Sequence, residues 1–355
     1  MLRDLLIFMS KNDVMRRISV NAPGARSVAR RFVAGEKLEE GLAASKRLAD
    51  AGFYVTLDFL GESVASREEA RAAADMYLRM LDGIAAGSLS NGEPMRTRVN
   101  VSLKLTQMGQ DIEAPAGQPA WSGPVWPKPA RGMTPEEGRY DHAFLRENVG
   151  RIVDRAKQHG IFVRFDMESR YHTQRTLDFV LSLWQEGYTE IGIVLQSYLL
   201  RTEHDARVAN GLGMRVRLCK GAYKEPPEVA YQDKADVDRN YVQVTKLLIA
   251  EGNYPGIATH DEAMIRATRT FVREQGIDAS RYEFQMLYGI RRDLQQRLVD
   301  DGQNMRVYVP FGDAWYPYLM RRMAERPANV MFIVNAVLRE SPLGGLFDSG
   351  GARTR

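Results

Sequence analysis

From residue 53 onward the apolar and polar positions alternate between two periods. Short apolar, β-rich runs that end in polar residues predict strands at 53–60, 98–105, 162–167, 191–196, 215–220, 256–260, 282–287 and 306–310. Longer stretches with apolar residues three and four apart predict helices between them, as at 67–85, 144–159 and 241–251. Eight strands, each followed by a helix, predict an α/β fold of the (β/α)8 TIM-barrel type. A doubly wound sheet usually has fewer strands and often carries a glycine fingerprint after its first. Here the first strand runs into Gly61-Glu62-Ser63, with no GxGxxG.

Before the barrel, residues 36–51 have helical periodicity and end at Gly52. The first thirty residues are Arg-rich and amphipathic. Asp4 and Asp13 argue against a transit peptide and for native helices broken at Asn21-Ala22-Pro23-Gly24. The expected organisation is an N-terminal helical segment over 1–52, a catalytic barrel over 53–340 and a Gly-rich, disordered tail over 341–355. One stretch breaks the rhythm. Residues 110–139 hold six of the fifteen prolines and two of the four tryptophans, so they form neither a helix nor a central strand. Because this insertion follows the second strand, it reads either as a lid or docking loop or as a passive surface insertion.

Composition narrows the class. The chain has 355 residues, 44% apolar and 26% charged, which is ordinary for a globular protein. Its 49 basic residues stand against 45 acidic ones, without a dense Lys/Arg block, so a nucleic-acid footprint is not expected. No apolar run reaches the ~20 residues of a membrane helix. A single cysteine, Cys219, cannot form an internal disulfide and suggests a reducing, cytoplasmic compartment. Lying mid-strand, it reads as an inert packed thiol.

The reactive groups of such a barrel sit at the C-terminal strand ends, where the βα loops open. Polar residues gather there: Lys104, Asp166 and Glu168, Gln196, Arg217 and Lys220, Thr259 and His260, and Tyr308. The expectation is that only one of Asp166 and Glu168 enters the mouth, and either could merely pair with a basic neighbour. Gln196 could instead bind backbone and His260 could cap a helix. With five histidines and no HxH or HExxH, a metal site is not expected. After the last strand comes WYPYLMRRMAERP. Here Tyr318, Arg321 or Arg322, and Glu325 lie three or four apart and share a helix face. Surface pairing of the arginines with Glu325 is one reading. The other is a guanidinium clamp, whose planar fork binds a carboxylate in two parallel hydrogen bonds.

Taken together, RFDMES, RVRLCKGAY, ATHDE, YEFQMLYGIR and WYPYLMRRMAERPAN resemble the signature segments of proline dehydrogenases, in their monofunctional bacterial form. The resemblance runs from the N-terminal helices to about residue 335. It implies a barrel with helices packed beside it and non-covalent FAD. It implies oxidation of L-proline to Δ1-pyrroline-5-carboxylate, with hydride passing from C5 to flavin N5 and electrons going on to a quinone, as the first step of proline catabolism. Lys104, Asp166, Tyr308, Tyr318, Arg321, Arg322 and Glu325 would line the proline pocket, and Arg217 would lie against the flavin. Asp166 and Arg217 would be the catalytic pair. Met167, Gln196, Lys220, Gly221, Ala222, Thr259 and His260 would hold FAD. The resemblance further implies a separate pyrroline-5-carboxylate dehydrogenase and transient contact with the inner membrane surface. Two features depart from the pattern: Lys224 follows KGAY where bifunctional relatives carry Trp, and the 110–139 insertion is longer than expected. Alternatives are another flavin barrel, such as a methylenetetrahydrofolate reductase-like enzyme or a hydroxyproline dehydrogenase, and a non-catalytic ligand-binding barrel.

Overall fold

The structure, a computed structural model, describes residues 29–61, 64–87, 89, 98–133 and 139–325, without the side chains of Arg321, Met323, Ala324 and Glu325. The tail at 341–355 and the proposed helices of residues 1–28 lie outside the described residues.

Eight parallel strands close in sequence order: β1 (Tyr54–Phe59), β2 (Val99–Leu103), β3 (Val163–Phe165), β4 (Ile191–Gln196), β5 (Arg215–Cys219), β6 (Gly256–Ala258), β7 (Glu283–Leu287) and β8 (Met305–Phe311). All eight expected strands are present, several of them trimmed at their ends. Residues 104, 166 and 259, for example, have left the ladder and already belong to the loops of the mouth. The helices are α1 (Leu38–Asp50), α2 (Arg67–Ala86), α3 (His142–His159), α4 (Arg170–Gln185), α5 (Thr202–Leu212), α6 (Lys234–Glu251), α7 (Glu262–Glu274), α8 (Arg292–Asp300) and α9 (Trp315–Glu325). Helix α6 starts seven residues before the expected 241. Its first two turns are mostly charged and exposed and carry no apolar stripe, which begins only at Tyr241 and Val244. By contrast α2 is marked at both levels. Ser66 caps it by accepting from Glu69 N, and Ala70, Ala73, Ala74, Tyr77, Leu81 and Ile84 form its buried face.

Helix α1, which precedes the barrel, packs on β1 and β8. Its Gly41 lies so near Phe311 and Leu57 that a Cβ would come within 3.0 Å of the Phe311 ring. This wall position would otherwise suit the helix that follows β8. Instead α9 gathers with Ala29, Phe32, Val33 and Leu60 in a separate apolar cluster, through Trp315, Tyr316, Tyr318, Leu319 and Met320. Leu60 directly follows β1, so α9 stands at the C-terminal rim of the barrel.

The described part of the 110–139 insertion is fastened to the flank. Its ends meet at an antiparallel bridge between Glu113 and Tyr140. Trp126 is fully buried; its backbone N–H donates to Asp178 of α4 (2.7 Å) and its indole Nε1–H to Asp205 of α5 (3.0 Å). Gln174 Nε2 in turn donates to the Trp126 carbonyl (3.1 Å), and Arg201 holds Asp205. Such anchoring favours a fixed insertion over a swinging lid. Truncation of Trp126 to Ala is expected to cost about 3–5 kcal/mol, because it leaves a large cavity and removes the indole donor from the buried Asp205. Urea unfolding followed by circular dichroism measures this, and a loss within about 0.5 kcal/mol, the range of ordinary surface changes, would contradict the anchoring.

Candidate active site at the open end of the barrel

Parallel strands buried on both faces usually read as continuous apolar runs, and TIM-barrel interiors are packed with branched apolar side chains. Here the interior positions are polar. Thr56 and Asp58 come from β1, Asn100 and Ser102 from β2, Arg164 from β3, Arg217 from β5, Glu283 and Gln285 from β7, and Arg306 from β8; all are buried. Two strand glycines make room for them. A Cβ at Gly192 would lie 2.7 Å from Arg164 Nη1 and 2.4 Å from the Arg215 carbonyl, and one at Gly256 would lie 2.2 Å from Gln285 Nε2.

At the mouth these layers end in one connected cluster. Asp166 Oδ1 accepts from Ser102 Oγ (2.6 Å) and Arg217 Nη1 (2.7 Å), and Oδ2 accepts from the Tyr308 hydroxyl (2.7 Å) and Lys104 Nζ (3.3 Å). Lys104 Nζ also reaches Asp58 Oδ1 and the Tyr308 hydroxyl oxygen, both at 3.4 Å. The Arg217 guanidinium lies 5.1 Å from the Tyr308 ring centre and donates through Nε to Gln285 Oε1 (2.6 Å) and through Nη2 to Thr56 Oγ1 (3.4 Å). Burial pushes the Asp166 carboxyl up. Lys104 and Arg217, followed by the Ser102 and Tyr308 hydrogen bonds, outweigh it and hold the group below the usual carboxylate range. Burial and the neighbouring Asp166 and Asp58 push the Tyr308 hydroxyl well above its ordinary value.

Four expected site residues, Lys104, Asp166, Arg217 and Tyr308, therefore meet. Asp166 faces inward, whereas Glu168 turns to Thr106 and accepts from its backbone N–H and Oγ1 (3.4 and 2.8 Å). Gln196 donates through Nε2 to the carbonyls of Met167 and Glu168 (3.4 and 3.3 Å), and its Oε1 is buried without a partner. The Lys220 ammonium is drawn away from this cluster to Asp238 (2.5 Å) and Asp261 (2.9 Å). Gly221 has φ +104°, and a side chain there would strike the Tyr198 ring; Ala222 follows it in the same loop. Thr259 Oγ1 accepts from Asp261 N. His260 does not cap a helix: its Nε2 accepts from Leu287 N (3.0 Å), and Asp261 caps α7 instead. On α9, Tyr318 is buried and the Arg322 guanidinium lies 5.4 Å from its ring centre. Arg321 and Glu325 share that helix, and their side chains lie outside the described residues.

The residues not anticipated are Thr56, Asp58, Ser102, Glu283 and Gln285. A sequence signal for them exists. The runs VTLDF, VNVSLK, RVRL and EFQML alternate apolar with polar, which a parallel strand buried on both faces has no reason to do unless its inner face binds something.

Comparison with known proteins agrees with this geometry. The family described as "Proline dehydrogenase" matches residues 42–335. The chain is 38% identical to proline dehydrogenase 1 of Bacillus subtilis (strain 168), over 96% of this chain and all of that one. It is 37% identical to the proline dehydrogenase of Deinococcus radiodurans, over 88% of this chain and 91% of that one. Among solved structures, proline utilization A from Bdellovibrio bacteriovorus, inactivated by N-propargylglycine, superposes with a TM-score of 0.73 at 23% identity. That match covers all of this chain and 40% of the larger protein, and it supports the fold alone. A family match over most of the sequence and relatives aligned end to end stand beside a closed eight-stranded barrel: the chain belongs to the proline dehydrogenase family, and it is an enzyme that oxidises proline.

Proposed function

We propose that the chain oxidises L-proline to Δ1-pyrroline-5-carboxylate with non-covalently bound FAD, on the Asp166–Lys104–Arg217–Tyr308 cluster at the barrel mouth. The family is flavin-dependent, and the residues fit such a cofactor. The buried, unpartnered Gln196 Oε1 is an acceptor that suits an N–H, and a flavin ring carries one on its pyrimidine edge. Gly221 leaves the backbone open for close approach beside Tyr198. Met167, Gln196, Gly221, Ala222, Thr259 and His260 would hold the cofactor. Lys220, already paired with two carboxylates, would act by fixing the loop that carries Gly221. When bound, FAD supplies the two-electron acceptor for the C5–H of proline.

The chain's own residues bind and orient the substrate. Arg321 and Arg322 would take the proline carboxylate, with Glu325 beside them, and Tyr308 and Tyr318 would close on the ring by apolar contact. Arg217 places a fixed positive charge beside the cofactor, where negative charge develops on reduction. The ring nitrogen must lose its proton before C5–H cleavage, because a protonated amine has no lone pair to share. Asp166 is a poor base for that step, since its carboxyl is held below the ordinary range and a base works best near the operating pH. Its geometry suits a second role, pinning Lys104, Tyr308 and Arg217 to one another. The electrons would pass to a quinone at the inner membrane surface from a cytoplasmic protein, and the product to a separate pyrroline-5-carboxylate dehydrogenase. Among the described residues no helix is long and apolar enough to cross a membrane.

Anaerobic titration of the purified protein with L-proline tests the reading. The flavin absorbance is expected to bleach, and a yellow protein that stays yellow would overturn the substrate. Arg321→Met is expected to raise the proline KM roughly ten- to a hundredfold, the worth of a lost charged hydrogen bond, with FAD content unchanged. Equal loss of flavin and affinity would refute that division. For Asp166 the sign follows from its lowered value. Ionised Asp166 stabilises the fold above its ordinary unfolded value of about 3.9, and the gain disappears as pH falls through the lower folded value. Asp166→Asn is therefore expected to cost about 3–5 kcal/mol of stability at pH 7. In unfolding curves, the gap between the two proteins should narrow below about pH 4; a gap constant with pH would contradict the ionised network.

A further inference from the structure

Arg217 meets Asp166 on one side, and on the other it rests on a chain of side chains descending to the closed end of the barrel. Its Nε donates to Gln285 Oε1 (2.6 Å), Gln285 Nε2 donates to Glu283 Oε1 (2.5 Å), and the same oxygen accepts from Arg306 Nε (2.6 Å). Arg306 is held in turn by the Val55 carbonyl (2.7 Å). Every member of the chain is buried. Space is reserved for it, since any side chain at Gly256 would collide with the Gln285 amide.

We propose that Gln285 and Glu283 are positioning residues that aim Arg217, with Glu283 deciding which end of the Gln285 amide faces the guanidinium. An amide has a donor end and an acceptor end. Arg217 Nε is a donor and accepts nothing, so it is held only if the Gln285 oxygen points at it. That orientation requires the Gln285 nitrogen to face an acceptor, and Glu283, as a carboxylate locked by Arg306, offers only acceptors on that side. Without an acceptor at position 283 nothing holds the Gln285 nitrogen on that side, and the amide can turn and set NH2 against the guanidinium, which then leaves its place between Asp166 and Gln285. The inference rests on the proposed placement of Arg217 beside the flavin.

The test compares Glu283→Leu, Gln285→Leu and Gln285→Glu in the FAD-loaded protein. The readouts are the flavin midpoint potential, from equilibrium reductive titration, and kcat and KM for L-proline. Removing a buried negative charge would by itself raise the potential. Loss of aim withdraws the guanidinium and lowers it, so the sign in E283L separates the two. The expected result is a lowered potential in E283L and Q285L and a kcat down about tenfold with little change in KM, as for a misplaced catalytic-site group. The Q285E change alone sets two carboxylates against each other. If E283L does not fold, Q285L decides the matter, because it leaves the Glu283–Arg306 pair intact. An unchanged or raised potential in E283L or Q285L, whichever folds, overturns the proposal. A wild-type flavin that proline fails to bleach would overturn the substrate while leaving the potentials, and this inference, to be judged separately.

Discussion

A guanidinium sits inside a closed β-barrel, at Arg217, and the barrel is arranged around keeping it there. Moving an ion of that kind out of water costs several kcal/mol even after relaxation, so it persists only where charge and hydrogen bonds answer it on each side. Asp166 supplies the charge, and Gln285, Ser102 and Thr56 supply acceptors. Each of these needs a partner of its own, and that requirement spreads through the interior. Thr56 donates to Asn100 (2.5 Å), and Gln285 turns to Glu283 and through it to Arg306. Much of the polar lining thus follows from this buried cation, and Arg164 and Arg306 are further buried guanidiniums of the same interior. A barrel without those cations could fill the same layers with Val, Ile and Leu.

A similar constraint, on wall space, explains the ends of the chain. The place beside β1 and β8 is taken by α1, which arrives before the barrel begins. Helix α9 then has no wall to cover and packs at the rim against Leu60 and residues 29–33. A helix at the rim can carry side chains toward the mouth, whereas one on the wall points them at a strand or at solvent. That placement is what the proposed substrate site requires of the helix bearing Tyr318 and Arg322. On the opposite flank, Trp126 secures the insertion to α4 and α5, so the long departure from the β/α rhythm does not loosen the wall.

The amino-acid sequence alone determined the architecture, because strand and helix periods are local properties. Eight short apolar runs and the amphipathic stretches between them could be read one by one, and strand order in such a barrel follows chain order. It also determined the chemical inventory of the mouth, since residues just past a strand end are adjacent in sequence to a recognisable signal; Lys104, Asp166, Arg217 and Tyr308 were legible in this way. What only the tertiary structure decided was partnership. Nothing local says that Asp166 would hold Lys104, Arg217 and Tyr308 at once, that Lys220 would leave for Asp238 and Asp261, that His260 would receive a backbone N–H from the next strand, or that α9 would stand at the rim. Those outcomes depend on distances across the barrel between residues 18 to more than 200 positions apart. They are set by closure of the sheet, and closure is a property of all eight strands together.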